Sequence, residues 1–349
     1  MADSVYLGID LGSSRTSISS STGVRKTVWS YVGYPQDHVA RKKFGGRDVV
    51  FGKEAVDNRM ALNLIRPLEG GAIKMQGAKD DTVKKAVKDL LAHVVSLANA
   101  PKDATIHAVI GAPAEASHEG KAAIIDAARD CTDSVIVCSE PFAVAYGLDF
   151  LEDTLVIDIG AGTTDLCRVH GTMPKPEDGR THGIAGDAID KLLADHIKKA
   201  YPEAQYSMNM IREFKEQHST VIPLKGQALV TMPVKGKPTE FDISEQIVKA
   251  CSAIVKPTVE ALQDLIATYD PEFQVKMRNH VLLGGGGSMI RGLPRAIEEG
   301  LNEFGGGKVT LVEDPQYAGA NGALQIALDM PSEYWLEFKQ EGKSKKAGK

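Results

Sequence analysis

Short apolar runs alternate along this chain with longer stretches in which apolar residues return every three or four positions. The first kind predicts buried strands and the second amphipathic helices. "VYLGID", a short run closed by glycines, reads as a buried strand, and "TSISSSTG" and "RKTVWSYVGYP" continue as strands with turns between them. "DDTVKKAVKDLLAHVVSLANA" sets its charges opposite its apolar residues and predicts a helix. "TIHAVIGAPA" is a strand entering a turn, "HEGKAAIIDAARDC" a helix, "SVIVCSEP" a strand, and "PFAVAYGLDF" a helix opened by proline.

The pattern then restarts. "TLVIDIGAGTTDLCRV" is a second strand, glycine loop and strand, followed by helices at "AGDAIDKLLADHIKKAYP" and "MIREFKEQHS". "GQALVTMPVKGKPTEFDI" predicts a β-hairpin, and residues 244–269 one long amphipathic helix kinked at Pro257. "HVLLGGGG" is a strand ending in glycines, with a helix after it at "IRGLPRAIEEGLNEF". The end, "KQEGKSKKAGK", is polar and Lys-rich and is expected to be disordered. Strands alternating with helices predict an α/β fold with mostly parallel sheets. "LGIDLGSSRTSI" is echoed by "VIDIGAGTTDLC" about 150 residues later. Two halves that each carry one acidic glycine loop predict two facing domains with a ligand between them.

Length agrees, since 349 residues exceed one compact core and predict about two domains. The hydrophobic share of 43% and charged share of 25% are ordinary for a soluble globular protein. A formal net charge of −5 provides no basic field, so no directly bound nucleic acid is expected. Cys131, Cys138, Cys167 and Cys251 form no C-x-x-C pair and read as reduced thiols. His118-Glu119 begins like a zinc motif, but Ala122 stands where its second histidine belongs, so no transition metal is expected. No apolar run reaches the roughly 18–20 residues that span a bilayer. The start has no basic segment before its first strand, so no signal peptide is expected. A cytoplasmic protein follows.

The two loops carry the chemistry. Small residues let backbone N–H groups approach an anion, and the hydroxyls of Ser13, Ser14, Thr163 and Thr164 add donors. Phosphate fits such loops, yet Asp10 and Asp158 would repel it unless a cation intervened. Mg²⁺ binds through one or two carboxylates, waters and phosphate oxygens and resolves the conflict. No Walker sequence is present. A third glycine cluster, "LLGGGGSMIRGLP", would let a flat ring or ribose lie against bare backbone.

In order along nearly the whole chain, these segments resemble the actin/Hsp70/sugar-kinase superfamily. "GIDLGSSRT" and "DIGAGTTD" resemble its two phosphate loops, and "SEPFAVAYGL" and "DPQYAGANGAL" its connecting segments. "AGDAID" resembles the helix start beside the ribose, and "LLGGGGSMIRGLP" the adenosine loop. "VGYP", "RPLEGGAI" and "PSEYW" are similar to bacterial actins, and the motifs together to their magnetosome-associated branch.

The resemblance implies an actin-like α/β fold: two similar domains, each a mixed sheet with flanking helices, around a nucleotide cleft. Domain I would cover 1–148 with a small insertion near 33–66. Domain II would cover 149–315, with a subdomain at about 190–250. C-terminal helices at 316–340 would return to domain I, and 341–349 would be a disordered tail. The resemblance also implies ATP and Mg²⁺ as cofactors, the metal held by Asp10 and Asp158 largely through water. It puts Gly12, Ser13, Ser14, Gly160, Ala161, Gly162 and Thr163 on the phosphates and Gly186 and Asp187 near the ribose. Lys215, Gly285, Gly286, Gly287 and Met289 would flank the adenosine. Glu140 would orient the attacking water, with Asp165 as its catalytic companion.

Three positions depart from the pattern. Arg212 stands where the chaperone branch has an acid, Ala185 replaces a glycine, and Arg15 brings a charge into the first loop. The implied function is an ATPase that assembles with itself into cytoplasmic filaments and takes them apart after hydrolysis. Magnetosome or adaptor proteins are the implied partners. A small-molecule kinase of the same fold is the alternative, although no distinct aspartate base is visible for it. Another bacterial actin, for plasmid segregation or cell shape, is a second alternative.

Overall fold

The computed structural model describes residues 4–73 and 80–337. The Lys-rich end at 341–349 lies outside them. Two five-stranded sheets share one plan. In the first, the strands run Arg25–Trp29, Arg15–Ser20, Ser4–Leu11, Thr105–Ala112 and Ser134–Ser139 across the sheet. In the second they run Gly179–His182, Thr164–Val169, Thr154–Ile159, Val281–Gly284 and Val309–Leu311. Each sheet thus centres on its first strand. That strand turns back antiparallel through a glycine loop on one side and pairs parallel on the other. The expectation of mostly parallel sheets is corrected: two of the four pairings in each sheet are antiparallel. The antiparallel pairings join strands that follow one another in the chain, whereas the parallel strands need a crossover.

Each sheet carries its own core. Leu7, Ile9, Ile18 and Ile110 are buried against Val87, Leu90, Leu91 and Val94 of the helix Asp80–Ser96. Those helical positions recur at three- and four-residue spacing, which is why the segment folds as a helix with one apolar face. Leu155, Ile157, Ile159 and Leu166 pack the second core with Ile189, Leu193 and Ile197 of the helix Gly186–Ala200. A three-stranded sheet and two short helices within 32–65 form a small appendage on the first half. On the second half, the hairpin Leu229–Val234 and Lys237–Asp242 turns at Lys235 and Gly236. Both have positive φ, as a tight hairpin turn requires.

Residues 244–269 form two helices, Ser244–Ser252 and Val255–Ala267, rather than one kinked helix. Pro257 sits in the first turn of the second, where its missing N–H costs nothing. Continuing the helix would drive its ring into the carbonyl of Ala253, and the chain breaks there. The halves are joined by two helices that cross, Glu140–Gly147 and Ala318–Asp329. Their crossing is floored by Ala143, Gly147, Gly322 and Ala323.

Candidate functional site

Both glycine loops close hairpins of the central strands. In the first, Asp10 pairs with Ser17 and Leu11 with Thr16, leaving Gly12–Arg15 between the paired residues. In the second, Asp158 pairs with Asp165 and Ile159 with Thr164, leaving Gly160–Thr163. Each acid therefore sits one residue before the strand end, in equivalent places on the two sheets. The two turns come close together: a Cβ on Gly162 would lie 2.6 Å from Ser13 Oγ and 2.7 Å from the Gly71 nitrogen.

Between the halves lies a cavity of about 560 Å³, a usual size for a small-molecule or cofactor pocket. It is lined by Asp10, Gly12, Ser13, Ser14, Glu140, Asp158, Gly160, Ala161, Gly162 and Thr163. Gly186, Asp187, Lys215, Gly285, Gly286, Gly287 and Met289 complete the share expected from sequence. Gly285 has φ +74° and no room for a side chain, since a Cβ there would lie 2.2 Å from Asp158 Oδ1. The start of the helix at Gly186 is pinned to the second loop. Gly186 donates its N–H to the Gly160 carbonyl at 3.2 Å, and Asp187 donates to Ala161 at 2.7 Å.

Asp165 is not among the lining residues. It is buried, and accepts hydrogen bonds from the Ala114 N–H at 2.8 Å and the Thr181 hydroxyl at 2.6 Å. Through Ala114 it ties the second hairpin to the first half.

Asp158 is buried, while Asp10 and Glu140 keep part of their surface on the cavity they line. None of the three carboxylates has a hydrogen-bond or ion-pair partner among the described residues. Burial pushes the Asp10 carboxyl up to about 6. Burial, then the neighbouring acids, raise Asp158 and Glu140 well above the usual carboxylate range. Among the described residues, no group of three or more His, Cys, Asp or Glu side chains could hold a metal ion by itself; Asp10 and Asp158, which have no protein cation beside them, fit instead a hydrated divalent ion whose shell is completed by water and phosphate oxygens. Glu140 opens its helix immediately after the strand Ser134–Ser139, at a sheet's carboxyl edge where open α/β folds bind ligands. Gly111 on the adjacent strand makes room for it, because a Cβ there would lie 2.9 Å from Glu140 Cγ.

A carboxyl whose pKa rises on folding stabilises the fold while it is protonated. For Asp10 that contribution is present below its ordinary value of 3.8 and is lost as pH rises to about 6. In chelator, the unfolding midpoint of the wild type should therefore fall relative to that of Asp10→Asn across this window. A constant gap between the two melts would contradict the placement of Asp10.

Several cleft residues were not singled out from sequence. Arg66 donates to the Ser13 carbonyl at 2.6 Å and pairs with Asp187 at 2.6 Å. The Gly71 N–H donates to Ser13 Oγ at 3.0 Å. The paired glycines of "RPLEGGAI" were the one local signal for that contact. Asp190, nearly inaccessible, pairs with Lys215 at 2.7 Å and Arg212 at 3.4 Å. Arg212 is thus committed to protein acids and to the Tyr31 hydroxyl. Arg15 pairs with Glu216 at 3.0 Å. These are contacts between elements far apart in the chain.

Two sheets of one plan, hinged by crossing helices over a cleft with an acidic glycine hairpin on each side, define an actin-like nucleotide clamp. A model of the MreB/Mbl protein family matches residues 4–333, and the chain belongs to that family. It is 39% identical over 334 residues to the actin-like protein MamK of Paramagnetospirillum magneticum, covering 96% of this chain and 95% of the relative. Its structure is similar to that of a MamK double helical filament, with TM-score 0.90 and 38% identity over 94% of this chain and all of that one. It is also similar to a non-polymerising MamK mutant bound to AMPPNP, with TM-score 0.71, 38% identity and the same coverage. Among the described residues, no helix is long and apolar enough to cross a membrane.

Proposed function

We propose that this protein is an actin-like ATPase that assembles with itself when Mg-ATP fills the cleft, and that its filaments position magnetosomes in the cytoplasm through adaptor proteins. The observation that carries the nucleotide reading is the pair of facing acidic hairpins at the floor of one cavity. Filament formation is supported by the likeness to MamK, which assembles. The backbone of Gly12–Ser14 and Gly160–Thr163 would hold the phosphates. Gly186 and Asp187 would approach the ribose, with Lys215, Gly285–Gly287 and Met289 around the adenosine. Asp10 and Asp158 would hold Mg²⁺ through water. When bound, the ion neutralises charge on the phosphates. Glu140, held without a partner at the end of its strand, would accept a hydrogen bond from the attacking water and align it, as phosphoryl transfer to water demands.

Calorimetry with Mg-ATP tests the metal assignment. Asp10→Ala and Asp158→Ala should each weaken binding by about 10–100-fold, the usual loss when an outer-shell partner of a metal is removed. Thermal stability should not fall, because each change deletes an enclosed, unpaired carboxylate. Wild-type affinity in both variants would contradict the assignment. Phosphate transfer to a small hydroxylated acceptor, with no assembly, would favour the kinase alternative.

A further inference from the structure

The two kinds of sulfur in this fold differ in what an oxidant can reach. Cys138, Cys167 and Cys251 are buried and Cys131 is half-buried. Burial pushes the Cys131 and Cys251 thiols up to about 11 and those of Cys138 and Cys167 up to about 12. Peroxide attacks the thiolate rather than the thiol, so at neutral pH these cysteines offer it almost nothing. A thioether has no proton to lose and reacts wherever oxidant meets it. Among the described methionines, Met60, Met173 and Met289 are the most exposed, at 88%, 67% and 64%, whereas Met232 and Met277 are fully buried. Oxidation of this fold therefore falls on exposed thioethers.

Of those three, Met289 alone lines the cleft. It ends the short turn Gly286–Met289 and sits between Ser288 and Ile290, which are both buried. The backbone there is fixed. Ser288 donates its hydroxyl to the Gly285 carbonyl at 2.6 Å, and the Ile290 N–H donates to the Gly287 carbonyl at 3.1 Å. The turn is also pressed onto the second sheet, since a Cβ on Gly287 would lie 2.1 Å from Ile159 Cγ2. With its neighbours turned inward, Met289 is the side chain that this end of the turn presents to the cleft.

We propose that the Met289 thioether is an oxidation site through which peroxide weakens nucleotide binding, and that bound nucleotide shields it. This rests on the nucleotide reading above, which puts Met289 beside the adenosine. A sulfur lone pair attacks one peroxide oxygen, and the O–O bond breaks as the S–O bond forms. Sulfur gives up two electrons and peroxide gains them. The hydroxide released takes the proton from the new S–OH group and leaves as water. A thioether packs well against a flat aromatic ring. Its sulfoxide is polar, and a base laid over it would strip that dipole of water without supplying a partner. Base and oxidant need the same side chain uncovered, so occupancy by one excludes the other.

The test is timed exposure to hydrogen peroxide, with and without saturating Mg-ADP, on protein kept below its assembly concentration. Peptide mass spectrometry reads oxidation at each methionine, and calorimetry reads affinity. Without nucleotide, Met60, Met173 and Met289 should oxidise well ahead of Met232 and Met277. Mg-ADP should protect Met289 and leave Met60 and Met173 unchanged, a pattern that a general gain in stability would not produce. Oxidised wild type should bind Mg-ADP about 5–100-fold more weakly, the usual cost of burying an unpartnered polar group. The double variant Met60→Leu, Met173→Leu should be as sensitive as wild type. Met289→Leu should keep its own starting affinity through the same treatment. An equal loss of affinity in Met289→Leu, or no protection of Met289 by Mg-ADP, would overturn the site. Untreated wild type that binds no Mg-ADP would overturn the nucleotide reading itself, and the site with it.

Discussion

Glu140→Ala should slow phosphate release from ATP by about 10²–10⁴-fold, the usual contribution of a positioned proton acceptor. The side chain stands at the end of the strand Ser134–Ser139, enclosed, without a hydrogen-bond partner, and with its carboxyl raised by burial and by Asp10, Asp165 and Asp158. An acid kept there at a cost to folding is what a reactive position looks like. Nucleotide binding should survive, since no phosphate or metal contact is assigned to Glu140. Assembly should survive too, and on the proposed function, in which disassembly waits on hydrolysis, filaments should persist. Stability offers an independent check. If Glu140 merely capped its helix, alanine would lower the unfolding midpoint. With a desolvated and unpaired carboxylate removed, the midpoint should hold or rise. Phosphate release and light scattering on one sample read both outcomes, and unchanged release would remove Glu140 from the reaction.

Gly322→Ala should cost about 3 kcal/mol or more, at the upper end of overpacking changes. A Cβ at Gly322 would lie 1.7 Å from the Ala143 carbonyl oxygen and 2.4 Å from its carbon, both backbone atoms. No side-chain rotation relieves that overlap, so the helices Glu140–Gly147 and Ala318–Asp329 must separate. The effect would reach the site, because Glu140 begins one helix, and a Cβ built on Gly319 of the other would lie 3.3 Å from Asp10 Oδ2. Total stabilities of about 5–15 kcal/mol leave little room for such a loss. Gly183→Ala, with nothing within 4 Å of the added carbon, should stay near neutral. Chemical denaturation of the two variants makes the comparison. Wild-type stability for Gly322→Ala would mean that the crossing is looser than its geometry indicates.

The strands and helices of the two halves were legible in the sequence because their apolar spacing is regular and their ends carry glycine, proline or an acid. The repeat of an acid, a small loop and a second strand also makes the likeness of the halves legible in the sequence. Elements too short for periodicity were not legible. Val309–Leu311 is a three-residue edge strand, and Pro271–Arg278 a helix with a single buried side chain, Met277. The break at residues 253–254 was misjudged because a proline in an apolar periodic run suits either a kink or a first turn. In the site, the floor was legible, since its residues cluster within two hairpins. The walls were not. Arg66 to Asp187, Tyr31 to Arg212 and Arg15 to Glu216 pair residues on different halves, and no local pattern announces such pairs. Asp165 lies inside a phosphate-loop motif but is not among the residues that line the cavity; its carboxylate accepts hydrogen bonds from Ala114 and Thr181.

The central claim is that ATP in this cleft drives self-assembly and that its hydrolysis limits the lifetime of the product. Sedimentation and negative-stain microscopy, with Mg-ATP or Mg-ADP across a concentration series, test it most directly. The account predicts filaments that pellet steeply above a critical concentration in Mg-ATP and much less in Mg-ADP, with phosphate appearing in the supernatant as they shorten. Protein that remains monomeric at high concentration in Mg-ATP would contradict it.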